Sequence, residues 1–167
     1  MSLHYAFTFL GAVVLLATAC SQSPAVGGTQ VPGPSREVST EDAVTAEIAD
    51  AWQQHVEAGK RGDGRAAMAT FDDEGTYVEP WGVSVSGRKA LDSSEVANFR
   101  AFKLVDARHR MIAVRVIGAH VYEVGESSGS TQVPGHPPTS FGPVSYMASW
   151  RRAADRKLRV HFMVAYP

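Results

Sequence analysis

The chain has 167 residues, 44% of them hydrophobic and 20% charged, with a formal net charge of -1. That length suits one domain, and the near-neutral balance offers neither a basic surface for nucleic acid nor an acidic solvating tail. Every Lys, Arg, Asp and Glu lies beyond Ser35, so positions 1–35 differ in kind from the rest.

Phe7 to Ala19 reads FTFLGAVVLLATA. This apolar run is shorter than the ~20 residues that span a bilayer and matches a signal-peptide core of roughly 7–15 residues. Leu16-Ala17-Thr18-Ala19 then precede Cys20, the sole cysteine, and resemble a bacterial lipobox. The resemblance implies a signal peptide over 1–19, a lipid on Cys20, and an exported protein held on the periplasmic or extracellular face of the cell membrane. Ala17 stands where Leu is commoner, and the n-region carries only His4 and the α-amino group. After a plain signal peptide, Cys20 would be an ordinary small residue. A single cysteine makes no intrachain disulfide, so stability must come from the core. Ser21 to Ser35, SQSPAVGGTQVPGPS, lacks apolar periodicity and reads as a flexible spacer. Residues 20–35 are therefore the anchor and linker, and the domain is expected over 36–167.

Ser39 suits a helix N-cap and Glu41-Asp42 its first turn. Val44, Ile48, Trp52 (or Ala51), His55 and Val56 follow at helical spacing, and Gly59 and Gly62 end the run. Asp63 caps a short second helix carrying Ala66, Ala67, Met68 and Phe71. Asp72 to Gly75 reads as a turn, and Thr76 to Glu79 as a strand stopped by Pro80, with Trp81-Gly82 in a loop. Gly87-Arg88-Lys89-Ala90-Leu91 opens a third helix reaching about Phe102. The period then changes to two. Met111 to Val116, Val121 to Val124, Val144 to Trp150 and Leu158 to Ala165 read as strands, with Ile112, Val114 and Val116 on one face. Ser127 to Ser140 reads as a hairpin loop holding a solvated His136, and Arg151 to Lys157 as a charged hairpin tip. This order predicts an α+β domain, its helices on one face of a curved antiparallel sheet.

The same order resembles the nuclear-transport-factor-2-like (NTF2-like) superfamily, in which three helices and a bent sheet form a cone; SnoaL-like and ketosteroid-isomerase-like domains are among its members. Ala58 to Asp63 is similar to the family's helix-ending turn. Phe71-Asp72-Asp73-Glu74-Gly75-Thr76-Tyr77-Val78-Glu79-Pro80 is similar to its phenylalanine, paired acids, strand and acid-proline segment. Gly87-Arg88 resembles the start of its third helix, and Trp150 with Leu158 to Phe162 its last two strands. The resemblance spans about Ser39 to Pro167. It implies a pocketed cone, and in many members a homodimer packed through the sheet. Such a fold hosts enzymes and binding modules alike, so the site must decide.

The resemblance is nearest to the ketosteroid isomerases, a worked case of tuned carboxylates. It implies that Glu79, before Pro80, holds the general-base position and His55 the proton-donor position. The family's second donor, a protonated aspartate, has no counterpart; Ala148 falls near its place. Glu79 shares a strand face with Tyr77. It is either a carboxylate tuned by an apolar cavity or a strand-end partner of Arg88 or Lys89. His55 is either a proton donor or a half-buried helix residue. His161 alternates with Met163 and Ala165 and is expected to line the pocket; His109 and His120 have no such support. Trp52, Tyr77, Trp81 and Tyr146 are candidate pocket walls. No H-x-H or H-E-x-x-H spacing supports a metal among His55, Glu79 and His161, and no cofactor is expected. The expected role is binding of a small apolar molecule or a partner. The alternative is a proton-transfer enzyme of isomerase, dehydratase or cyclase type with Glu79 as base.

Overall fold

The computed structural model describes residues 40–166; the expected export segment, Cys20 and the expected linker lie outside the described residues. The elements are α1 (Thr40–Lys60), α2 (Gly64–Met68), β1 (Phe71–Val78), β2 (Ser84–Ser86), α3 (Arg88–Ala101), β3 (Lys103–Ile117), β4 (His120–Gln132), β5 (Thr139–Arg152) and β6 (Leu158–Tyr166). The strands form one curved six-stranded sheet in the order β2-β1-β6-β5-β4-β3, so the α+β architecture is the expected one. One expectation is corrected: the sheet is not wholly antiparallel. β1 pairs parallel with β6, while the other neighbours are antiparallel. β1 is separated from the meander by α3, and this crossover lets it enter beside the last strand in the same direction.

Along α1, Val44, Ile48, Trp52 and Val56 recur every four residues, and all four are buried. That stripe packs on the inner face of the sheet, where Val114, Val121, Tyr146, Ala148, Trp150, Val160, Met163 and Ala165 complete the core. Asp63 caps α2 as its spacing implies, its carboxylate accepting from Ala66 N at 3.0 Å. Gly64 is required by close packing: a Cβ there would lie 2.7 Å from the Val96 backbone nitrogen of α3. Arg88, at the start of α3, donates to the Met68 carbonyl at 2.7 Å and to the Phe71 carbonyl, and pairs with Asp73 and Asp92. One guanidinium thus ties α2, β1 and α3 together.

Several strand boundaries depart from the alternation pattern. Asp72 to Gly75 belongs to β1 rather than to a turn, and the β1–β6 register shifts between Phe71 and Thr76. The stretch Ser127 to Ser140 is mostly paired strand, since β4 and β5 match as far as Thr131 and Thr139; polar, glycine-rich composition concealed this two-stranded extension. On β3 the register shifts between Met111 and Ala113, leaving Ile112 52% exposed while Val114 is buried. A bulge inserts one residue and reverses the side-chain alternation beyond it.

The outer face of the sheet is apolar. Val124, Met147 and Val164 stand side by side across β4, β5 and β6, and Tyr122 and Phe162 flank Ser149 in the adjacent row. Tyr122, Val124, Met147, Phe162 and Tyr166 are 38% to 46% exposed.

Candidate functional site

The interior of the sheet is built around a carboxylate. Glu123 follows Val121 by two residues on β4, so both point inward, and Glu123 is fully buried. Its Oε1 accepts from the Tyr146 hydroxyl at 2.7 Å and its Oε2 from Trp150 Nε1 at 2.9 Å. Trp52 Nε1 donates to both oxygens at 3.1 Å. Burial raises the Glu123 pKa, and the three donors oppose that rise by favouring the charged form. The same environment pushes the Tyr146 hydroxyl far above the ordinary tyrosine range, through its own burial and then the field of Glu123. Glu123 lies directly across from Ala148. A buried carboxyl therefore reaches the neighbourhood where no acid was expected, supplied by the adjacent strand.

Two imidazoles stand next to this cage. His109, on β3, stacks on Trp52 with ring centroids 4.1 Å apart and 5.6 Å from Tyr146. Burial, reinforced by His55, lowers its pKa to about 3, and its Nδ1 is buried without a hydrogen-bond partner. His55, on α1, meets Trp52 edge-on at 5.7 Å and His109 at 6.1 Å. Its Nδ1 lies 2.9 Å from the Ala67 carbonyl, which only accepts, so Nδ1 carries the proton. Burial lowers the pKa of His55, against the opposing pull of the Ala67 bond and of Glu95. Both rings are neutral at pH 7.

Tyr77, half-buried, meets Phe71 at 6.1 Å. Burial, then the carboxylates of Glu79 and Glu95, pushes its hydroxyl up to about 12. The field of Glu95 on α3 acts on both Tyr77 and His55. Glu79 is half-buried just beyond β1, and its backbone N–H donates to the Val83 carbonyl at 2.8 Å. The expected partner Arg88 is taken by Asp73 and Asp92 instead.

The residues singled out from sequence thus separate into groups. Tyr77 and Glu79 stand at the end of β1, and His55 on α1 stands against Trp52 and His109. Trp52 and Tyr146 are 3% and 1% exposed, and they are core members of the Glu123 cage rather than open walls. Trp81 is 78% exposed. His161 does not join His55: its Nδ1 lies 3.1 Å from Asp72 Oδ2, which also accepts from Arg151 at 2.6 Å. The cause is a register shift, because Trp150 pairs with Val160 while Ser149 pairs with Phe162. Val160 and Met163 both face the core, and His161 between them turns out. Sequence reasoning missed Glu123 and His109. The available signal for Glu123 was its two-residue spacing from Val121.

An open groove of about 440 Å³ lies elsewhere, lined by Arg65, Asp73, Arg88, Asp92, Asp155 and Arg159 among others. Two of its arginines are committed, Arg88 as above and Arg159 to Asp155 at 2.7 and 2.8 Å. Among the described residues, no three His, Cys, Asp or Glu side chains are grouped to hold a metal ion, and no helix is long and apolar enough to cross a membrane.

No family model matches the chain, and no curated protein matches it. Solved structures do. A ketosteroid isomerase-like protein from Erwinia carotovora atroseptica is 18% identical, with 72% of this chain and 93% of that one covered and a TM-score of 0.59. An NTF2-like protein with a cystatin-like fold from Novosphingobium aromaticivorans is 17% identical over 73% and 80% of the two chains, with a TM-score of 0.57. A protein named as a candidate dehydratase of the NTF2-like family from Streptomyces avermitilis is 17% identical over 77% and 98%, with a TM-score of 0.59. At these identities the likeness defines the fold: the domain has the NTF2-like, cystatin-like architecture.

Proposed function

We propose that the domain binds a small, largely apolar molecule in the region bounded by His55, Tyr77, Glu95 and His109, and that a lipid on Cys20 holds it at the cell membrane. One observation carries the binding reading. Two neutral imidazoles sit against a rigid aromatic floor, Trp52, which the Glu123 cage locks in place. Apolar enclosure with a few fixed polar groups is what small-molecule sites share. The anchor rests on the lipobox-like segment before Cys20. The apolar outer face of the sheet supports a homodimer through that face.

The measurement is a small-molecule screen by NMR, read at the ring protons of His55 and His109. Ligands that shift both rings, and lose affinity in His109→Ala, support the site; a broad screen without such a hit overturns it. Mass spectrometry of membrane-extracted protein tests the anchor, and an unmodified Cys20 refutes it.

A second reading is proton transfer with Glu79 as base and His55 as its partner, favoured by the half-buried position of Glu79 beside Tyr77 at the end of β1. Glu79→Gln should then leave binding intact while lowering turnover by on the order of 10²–10⁴-fold. An unchanged rate eliminates Glu79 as base.

A further inference from the structure

The groove of about 440 Å³ is walled by α2, the start of β1, α3 and the turn between β5 and β6, and none of His55, Tyr77, Glu95 or His109 lines it. It mixes both signs of charge: guanidiniums from Arg65, Arg88 and Arg159, and carboxylates from Asp72, Asp73, Asp92 and Asp155. Most of these charges are already used. Arg88 is held by the Met68 and Phe71 carbonyls as well as by Asp73 and Asp92. Arg159 donates to the Ala69 carbonyl at 3.1 Å and to both oxygens of Asp155. Asp72 is spent on Arg151, His161 and the Glu74 N–H. Three groups are not spent. The Arg65 guanidinium is exposed and has no partner among the described residues. Asp73 and Asp92 each meet Arg88 through Oδ1 alone, which leaves both Oδ2 atoms open to a donor.

We propose that this groove binds a compact zwitterion, a molecule of the amino-acid class with one carboxylate and one primary ammonium. Arg65 takes the carboxylate, because its planar fork matches two oxygens at once. The open Asp73 and Asp92 oxygens take the ammonium, which carries three donors. Charge balance favours this class over a simple ion. An anion drawn to Arg65 also meets the four carboxylates, and a cation drawn to Asp73 also meets the guanidiniums. A zwitterion matches each sign locally and adds no net charge. The walls are fixed before anything binds, since Arg88 and Arg159 are tied to backbone carbonyls and carboxylates, so little ordering opposes association. This site is independent of the interior region proposed above.

Glycine, 4-aminobutyrate and 6-aminohexanoate test it, because they carry the same two charges at increasing span; butylamine and butyrate carry one charge each. All five are titrated into the full-length protein at low salt and followed by NMR at the backbone amides of Arg65, Asp73 and Asp155. The best of the three amino acids should bind at least about fivefold more tightly than either single-charge probe, the upper range for one exposed ion pair. Arg65→Gln should weaken the amino acid and butyrate and leave butylamine unchanged. Asp73→Asn should weaken the amino acid and butylamine and leave butyrate unchanged. Both side chains are exposed, Asp73 to 90%, so neither change threatens the fold. The His55 and His109 ring resonances should stay in place throughout, which separates this groove from the interior region. If no amino acid binds, if none exceeds both single-charge probes, or if the preference survives both substitutions, the zwitterion site is refuted and the interior reading is untouched.

Discussion

Glu123 shows how one buried charge organises a fold. Its oxygens collect three donors from α1 and β5, so removing the carboxylate orphans all three at once. Each buried donor left unpaired costs about 1–3 kcal/mol, and Glu123→Ala should therefore be among the most destabilising single changes, measurable as a shift in the urea midpoint. Glu123→Gln keeps the volume but turns an amide NH₂ towards indole N–H groups, and should also destabilise. The titrations act in opposite directions. Burial raises the Glu123 pKa, so its stabilising contribution is complete below the ordinary carboxylate range and declines as pH rises through the raised value. Burial lowers that of His109, so its contribution is complete above 6.5 and is lost as pH falls towards about 3. Denaturation across that window should show an acid-side loss in the wild type that is reduced in His109→Phe; an identical loss in both contradicts a buried neutral ring. Neither residue announced itself in the sequence. A glutamate on a strand ordinarily faces water, and only the partners brought from α1 and β5 make its burial tolerable.

The elements were legible where a single period held. The α1 stripe of Val44, Ile48, Trp52 and Val56, the Asp63 cap and the α3 start at Gly87-Arg88 follow directly from residue spacing. The strands were legible as strands but not in register. Bulges near Met111 and Ser149 invert the alternation, sending Ile112 and His161 outward, and bulges follow from long-range pairing rather than from local composition. That is why His161 turns towards Asp72 rather than towards the core. A tight fit between elements lies at Gly125 of β4, where a Cβ would lie 2.5 Å from the Tyr146 hydroxyl. Gly125→Ala should break the Tyr146–Glu123 bond and cost about 1–3 kcal/mol through overpacking. Ser145→Ala, on the exposed side of β5, should stay within about 0.5 kcal/mol. Equal midpoints for the two variants would contradict the packing described.

At the scale of the whole molecule, the sheet divides two environments. Its inner face holds the cage and the imidazoles; its outer face exposes Tyr122, Val124, Met147, Phe162 and Tyr166. In the proposed homodimer those residues meet their own copies across a two-fold axis. Met147→Glu would place like charges near that axis and should convert the dimer to monomer in sedimentation experiments, without altering the His55 and His109 resonances. A wild-type protein that is monomeric at all concentrations refutes the dimer. The outer patch could be read from sequence only as apolar strand positions. Which face each one took depended on the same bulges that displaced His161.

The placement of the tryptophans has an optical consequence. Trp52 and Trp150 lie 5.1 Å apart at 78° inside the cage, and Trp81, the third and last, is 78% exposed on its loop. The emission of this protein should therefore be a sum of two colours. One is a blue component from a coupled, water-free pair whose N–H groups grip a carboxylate, and the other a red component from a single solvated ring. A dissolved quencher such as acrylamide reaches only the second. With Trp81→Phe in place the remaining light comes entirely from the interior, and the cage becomes a built-in lamp that brightens, dims or shifts when something enters beside it.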